Sequence, residues 1–303
     1  MKPYLLRLHR WLTLVFGLPL VVIVVTGLIL SFEPIATATS RVPGALDAAR
    51  VEALLDRHDP EGKARGLAYR PYENALTLIG GPSIDVKTGE RLAAPGALSS
   101  LFGQSRGLHE HLIYDMGWLV TASTIAMCVI AALGLLMGLP YRLTNSFSGW
   151  HKATAWFLSP LVILAPLTGL ALVYGVTFAG EPGGGGARGA QPTLREAVKI
   201  VGAQRDLSNL IWLRQRGGRL LVRLEEAGEA RVYAVAADGL RATPRNVPRL
   251  MHEGNWAGVW SGLINVVASI ALMILMTTGL VIWARRRLRK PQRSRTRAAP
   301  TPA

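Results

Sequence analysis

Long apolar runs alternate with long mixed segments along this chain. Four runs contain no Asp, Glu, Lys or Arg: Trp11 to Phe32, Met116 to Tyr141, Ala153 to Gly180 and Gly254 to Ala284, with 22, 26, 28 and 31 residues. A helix rises about 1.5 Å per residue, so each run is long enough to cross a hydrocarbon core of roughly 30 Å. The pattern predicts a membrane α-helical fold, a four-helix transmembrane bundle with two small α+β domains outside it. The predicted boundaries are helix 1 over 1–34, an outer domain over 35–107, helix 2 over 108–141, a loop over 142–152, helix 3 over 153–180, a second outer domain over 181–250, helix 4 over 251–285 and a tail over 286–303. The apolar run of helix 1 is too long for a cleaved signal core, so it is kept as a retained span.

Periodicity inside the mixed segments changes with position. Ala45 to His58 reads as an amphipathic helix with Leu46, Val51, Leu54 and Leu55 on one face. Leu76 to Ile79 reads as a strand, and Ile84 to Glu90 as a hairpin turning at Thr88-Gly89. In the second segment, Pro182 to Gly189 reads as a flexible linker. Thr193 caps a helix through Val201, and strands follow at Leu210 to Arg214, Leu220 to Leu224 and Val232 to Val235.

The halves repeat. At an offset of 142, His9 falls on His151, Arg10 on Lys152 and Thr26-Gly27-Leu28 on Thr168-Gly169-Leu170. Leu108-His109-Glu110 and Met251-His252-Glu253 precede spans two and four, and each span later carries a Gly-Leu pair, Gly134-Leu135 and Gly279-Leu280. Two spans per half mean that the copies share one orientation, as in parallel repeats.

The net charge of +15 gives the topology. The N-terminus, the loop from Arg142 to Lys152 and the tail after Ala284 hold thirteen basic residues and no acidic one, whereas all 19 acidic residues lie in the two long segments. By the positive-inside rule both termini are cytoplasmic and both long segments lie outside. The basic tail fits a topology anchor touching lipid headgroups, and nucleic acid is not expected because aromatic residues for base stacking are missing from it. Cys128 is the only cysteine, which excludes an intrachain disulfide or a thiolate cluster and leaves a packing role.

Polar groups at span ends are where function is sought in a membrane protein. His9 and His151 fall at the inner ends of spans one and three, His109 and His252 at the outer ends of spans two and four. Two imidazoles from different helices at each face suit the axial positions of two b-type haems in a helical bundle. Arg10 and Lys152 would face the propionates of the inner one. On a continuous helix His109 shares a face with Leu112, Ile113 and Met116, while His111 shares one with Asp115 and reads as a surface pair. His58 reads as a solvated residue at a helix end. Histidine and tryptophan also collect at membrane boundaries without any ligand; the matched repeat is what favours ligation. Zinc or copper competes, but no Cys or carboxylate cluster completes a site around two imidazoles. No catalytic side chain and no nucleotide fingerprint, Walker motif or nucleophile elbow is visible.

Leu8-His9-Arg10-Trp11 with Thr26-Gly27-Leu28, Trp150-His151-Lys152 with Thr168-Gly169-Leu170, Asp85 to Glu90, and His252-Glu253-Gly254 through Gly258 together resemble the PepSY-associated transmembrane family, from about Tyr4 to Arg287. That resemblance implies PepSY-like periplasmic domains over a four-helix bundle. It also implies a bacterial inner-membrane location, two b-type haems bound through His9, His109, His151 and His252, and an oxidoreductase activity. Electrons would pass from a quinol or a separate reductase to a ferric siderophore outside. A non-redox, membrane-anchored regulatory or peptide-binding protein is the alternative reading, and a metal or chelate transporter a further one.

Overall fold

The structure, a computed structural model, describes residues 2–138, 144–179 and 191–288. The predicted linker Pro182 to Gly189 and most of the basic tail lie outside the described residues.

The first apolar run is not one helix. It forms α1 (Lys2–Val15), α2 (Gly17–Ser31) and α3 (Glu33–Ser40), with a break at Phe16. The third run breaks likewise at Leu158, between α7 (Phe147–Phe157) and α8 (Ser159–Val173), where the axis bends by 67°. Phe16 and Leu158 correspond at the offset of 142, and a proline follows each, Pro19 and Pro160. Proline lacks an N–H and its ring clashes with the carbonyl one turn back, so the helix gives way just upstream. Gly17–Ser40, α6 (Gly117–Leu136) and α11 (Val259–Leu288) are each long and apolar enough to cross a membrane, and the bent pair α7 and α8 makes a fourth if taken as one span. Side chains such as Leu18, Trp118, Trp150 and Phe157 stand exposed on these helices, as lipid-facing residues must. In the middle of the helices Val24, Val162, Ala271 and Leu272 form a buried cluster with Met127, Ala131 and Leu158 packed against it.

Between the spans lie an amphipathic helix α4 (Ala48–His58), strands β1 (Gly66–Arg70), β2 (Ala75–Leu78) and β3 (Ser83–Asp85), and helix α5 (Ala97–His111). Farther along come α9 (Leu194–Gln204), β4 (Leu210–Arg216), β5 (Arg219–Glu226), β6 (Glu229–Ala236), β7 (Gly239–Ala242) and α10 (Val247–Glu253). Asp47 caps α4 by accepting from the Arg50 N–H, so this helix starts three residues later than its apolar spacing suggests. Thr193 and Glu196 form a reciprocal capping box on α9.

Sequence alone divides these segments into two outer domains; the structure joins their strands. One seven-stranded antiparallel sheet runs in the order β3-β2-β1-β4-β5-β6-β7. The joint is β1 against β4, with Gly66 opposite Arg214 and Leu67 opposite Leu213. A single core lies under the sheet, where Val51, Leu54 and Leu55 of α4 and Ala197, Val198 and Val201 of α9 meet Leu67, Leu76, Leu213, Val222 and Leu224. Each segment alone would leave an unpaired central edge, and pairing removes both edges at once.

Two predicted details change. His58 is half-buried rather than solvated: Nε2 bonds the Gly89 carbonyl at 2.9 Å and Nδ1 accepts from Arg91 at 3.3 Å. Helix 2 does not begin at residue 108, because α5 ends at His111 and the chain turns before α6 starts at Gly117.

Candidate functional site: two histidine pairs

The turn after α5 decides where His109 sits. Leu112, Tyr114 and Asp115 all take positive φ (54°, 60° and 54°), a conformation that is uncommon for residues with a Cβ. The helical face assumed for His109 with Leu112, Ile113 and Met116 therefore does not exist. His109 belongs to a separate helix that precedes the span. His252 is placed in the same way, on α10, which is closed by Gly254 at φ 68° before α11 begins. Asn265 of α11 holds that end, its Nδ2 donating to the Met251 and His252 carbonyls at 3.1 and 2.9 Å.

The four candidate histidines meet as two pairs. His9 on α1 and His151 on α7 have ring centroids 6.4 Å apart with rings perpendicular. His109 and His252 have centroids 6.0 Å apart, tilted by 45°. All four are half-buried. His111 belongs to neither pair: it is more than half exposed, with Nδ1 3.0 Å from Asp115.

Each ring is fixed from a neighbouring helix through Nδ1. His9 Nδ1 donates to the Ile130 carbonyl at 3.0 Å. His109 Nδ1 donates to the Ile23 carbonyl at 3.0 Å and lies 3.1 Å from Thr26 Oγ1. His252 Nδ1 has the matching partners, the Ala165 carbonyl at 3.2 Å and Thr168 Oγ1 at 3.1 Å. His151 Nδ1 donates to Thr278 Oγ1 at 2.9 Å, whose own hydroxyl hydrogen goes to the Ile274 carbonyl. A carbonyl can only accept, so the proton sits on Nδ1 and Nε2 is left with a free lone pair, the arrangement found in metal-bound imidazoles.

Beside each acceptor is a glycine. A Cβ added at Gly27 would stand 3.2 Å from His109 Cε1, at Gly169 3.1 Å from His252 Cε1, at Gly279 3.5 Å from His151 Cε1 and at Gly134 3.9 Å from His9 Cε1. The repeated Thr-Gly-Leu is thus a seat, in which threonine bonds the imidazole and glycine lets the ring lie against the helix. Leu133-Gly134-Leu135 is the one seat without threonine, and there the Ile130 carbonyl alone holds His9. The sequence marked these residues only as signs of a repeat; that Thr278 begins the fourth-span seat was missed, although Thr278-Gly279-Leu280 repeats the motif in full.

The arrangement has a definite chemical capacity. Two rings bound to one metal ion through bonds of about 2 Å would have centroids up to about 6 Å apart, and the centroid separations of both pairs are close to that. Among the described residues no group of three or more His, Cys, Asp or Glu could hold a metal ion, so each pair offers two ligands and no more. Asn265 and Thr278, which touch His252 and His151, are thirteen residues apart on α11, about 20 Å of helix rise. The apolar cluster around Val24, Val162 and Leu272 fills the space between them.

Glu253, next to His252, binds Arg223 and Arg249, each at 2.8 Å. Burial works against its charge, but the two guanidinium groups outweigh it and hold the carboxyl below its usual range.

The fold and these pairs define a helical membrane protein with an extramembrane sheet and paired histidines at two levels of its helices. The PepSY-associated TM region family matches residues 6–286, and the chain belongs to that family. No curated protein matches it.

Proposed function

We propose that this protein carries single electrons across a bacterial inner membrane and reduces a ferric siderophore on the outer side. In this reading four spans form the bundle, both termini are cytoplasmic and the shared sheet is the periplasmic, PepSY-like part. One observation carries the proposal. Both histidine pairs combine a two-ligand spacing near 6 Å with an Nδ1 bonded away to a neighbouring helix. Two imidazoles with no third protein ligand would suit an iron whose remaining ligands come from a macrocycle, as in b-type haem.

A haem bound at each pair would supply one-electron oxidation and reduction. His9 and His151 would hold the inner haem, and His109 and His252 the outer one. The chain's own part is to orient the four imidazoles through Nδ1, to set their basicity and to keep water out between the pairs with Val24, Val162, Ala271 and Leu272. The inner loop of eleven residues has no room for a flavin or nicotinamide domain, so the donor is a quinol or a separate reductase. One quinol, oxidised to quinone with release of two protons, would reduce two ferric ions. Ferrous iron is held more weakly than ferric by hard oxygen chelators, so reduction releases the metal.

A reduced-minus-oxidised spectrum of the purified protein, with haem quantified per chain, tests this. Two b-type haems are expected, with His9→Ala or His151→Ala removing one, His109→Ala or His252→Ala the other, and His111→Ala removing neither. A colourless protein after expression with ample haem would sink the proposal.

A further inference from the structure

The sheet has one face on the core and the other toward α10. On β4, core residue Leu213 alternates with Trp212 and Arg214; on β5, core residue Val222 alternates with Leu221 and Arg223. This second face, with α10 and the end of the third apolar run, forms a half-open cavity of about 500 Å³, within the range that takes a drug-sized ligand.

Its charge is one-sided. Arg214, Arg216, Arg223, Arg231, Arg245 and Arg249 all line it. Glu229 pairs with Arg231 and Arg245 at 3.1 and 2.9 Å, and Glu253 pairs with Arg223 and Arg249. Two carboxylates are thus shared among four guanidinium groups, and among the described residues no carboxylate pairs with Arg214 or Arg216. Arg223 is 7% exposed, and its Nε, like that of Arg214, is buried with no hydrogen-bond partner. A buried donor without an acceptor is costly, so native proteins rarely leave one that no ligand or water satisfies. Burial and the nearby charges of Arg216, Arg249 and Arg223 push the Arg214 guanidinium below its ordinary range, as expected where positive charge lacks a counterion. The remaining wall is apolar and aromatic: Leu221, Val232, Leu250 and Trp212, with Arg214 stacked 4.4 Å over the indole.

Resting on the electron-transfer reading above, we propose that this cavity is the acceptor site and that it selects iron chelates of net negative charge, of the catecholate or carboxylate type. Phenolate or carboxylate oxygens meet the forked guanidinium donors, which fit them two at a time. Aromatic rings of the chelator lie against Trp212 and the Arg214 plane. α10 contributes Arg249 and Leu250 to the lining, and Arg249 lies one helical turn before His252, so a bound chelate would sit about a helical turn from the outer histidine pair. A neutral trihydroxamate chelate offers the unpaired Arg214 and Arg216 acceptor oxygens but no net negative charge.

Redox-inert gallium separates binding from electron transfer. Titration calorimetry is run on the full-length protein in zwitterionic-lipid nanodiscs, with the gallium(III) complexes of a tris-catecholate and of a neutral trihydroxamate. The anionic complex binds at least about tenfold more tightly, and Arg214→Gln or Arg216→Gln each weakens it about tenfold, with thermal stability and haem content unchanged. Equal affinity for the two complexes, or indifference to both variants, overturns the proposal. Phosphatidylglycerol that copurifies with the wild-type protein and is lost in Arg216→Gln, together with no chelate binding in phosphatidylglycerol nanodiscs, would assign the cavity to a lipid headgroup and overturn the proposal too. Charge-selective binding by a protein that proves to contain no haem would leave this site standing and remove the electron-transfer reading alone.

Discussion

The imidazole of His252 lies against the bare backbone of Gly169, with Cε1 3.1 Å from the place where a Cβ would stand. The same relationship joins His109 to Gly27 at 3.2 Å, whereas His9 leaves 3.9 Å over Gly134. The first two distances are tighter than ordinary contact, and the third is not. Gly169→Ala and Gly27→Ala are therefore expected to tilt or displace the outer rings, and Gly134→Ala to leave its ring in place. If the pairs hold haem, electron paramagnetic resonance of the oxidised protein reads the change directly. The two outer-seat variants shift the low-spin signal of one haem or lose it, and Gly134→Ala keeps the wild-type spectrum. Equal spectra for all three variants would contradict the seat.

Threonine in the seat has an electronic role that can be separated from its packing. His151 Nδ1 donates to Thr278 Oγ1 at 2.9 Å, and such a bond gives the imidazole more anionic character and favours the higher oxidation state of a bound metal. Thr278→Val keeps the shape and removes the hydroxyl acceptor, leaving the Leu275 carbonyl as the remaining partner of His151. The midpoint potential of the inner haem should rise by about 20–65 mV, the one-electron equivalent of about 0.5–1.5 kcal/mol for one hydrogen bond. Potentiometric titration followed in the visible spectrum measures it, with the outer haem as internal reference. A fall, or a shift confined to the outer haem, would count against this placement.

Much of this organisation is legible in the sequence, and the exceptions have physical causes. Charge-free runs mark the membrane helices because lipid tolerates almost no exposed charge. The repeat marks the histidines, at an offset of 142 for His9 and His151 and of 143 for His109 and His252, and the break residues Phe16 and Leu158 share the first offset. The helix to which His109 belongs is not legible, because the chain turns through positive φ at Leu112, Tyr114 and Asp115, with neither Gly nor Pro to announce it. The union of the two outer segments is equally hidden. Pairing Leu67 with Leu213 joins residues almost half the chain apart, and alternation within a strand identifies its faces but not its neighbour. For the same reason nothing in the sequence marks the arginines of β4 and β5 as the wall of one cavity.

The β1–β4 joint depends on one glycine. Gly66 faces Arg214, and a Cβ there would stand 2.8 Å from Arg214 Cβ and 2.9 Å from its Cα, and closer still to the Leu213 carbonyl. Backbone atoms in a paired strand cannot move aside one at a time, so Gly66→Ala is expected to open the joint, at a cost of about 2–4 kcal/mol. Gly103, with nothing within 4 Å of an added Cβ on helix α5, serves as the control, and Gly103→Ala should not destabilise. Limited proteolysis with intact-mass analysis distinguishes the two: faster cleavage between β3 and α5 or before α9 is expected in Gly66→Ala only. Unchanged proteolysis would mean that the two segments hold together without this pairing.

Behind His252, Glu253 neutralises Arg223, whose side chain is 9% exposed, and Arg249, whose side chain is 38% exposed. Removing one partner of a largely buried pair leaves the other charge uncompensated, which costs about 3–5 kcal/mol when burial is complete. The 20% exposure of the Glu253 side chain reduces that to about 2–3 kcal/mol. Glu253→Gln should therefore lower the unfolding temperature, while Glu253→Gln combined with Arg223→Met should recover part of the loss, because the stranded charge is then gone. The single variant should also loosen α10 and with it the orientation of His252, so its outer haem should be lost on heating before the inner one. Thermal melts followed at two wavelengths, one for protein and one for haem, test both statements. A double variant less stable than the single one would show that Arg223 is held by contacts other than Glu253.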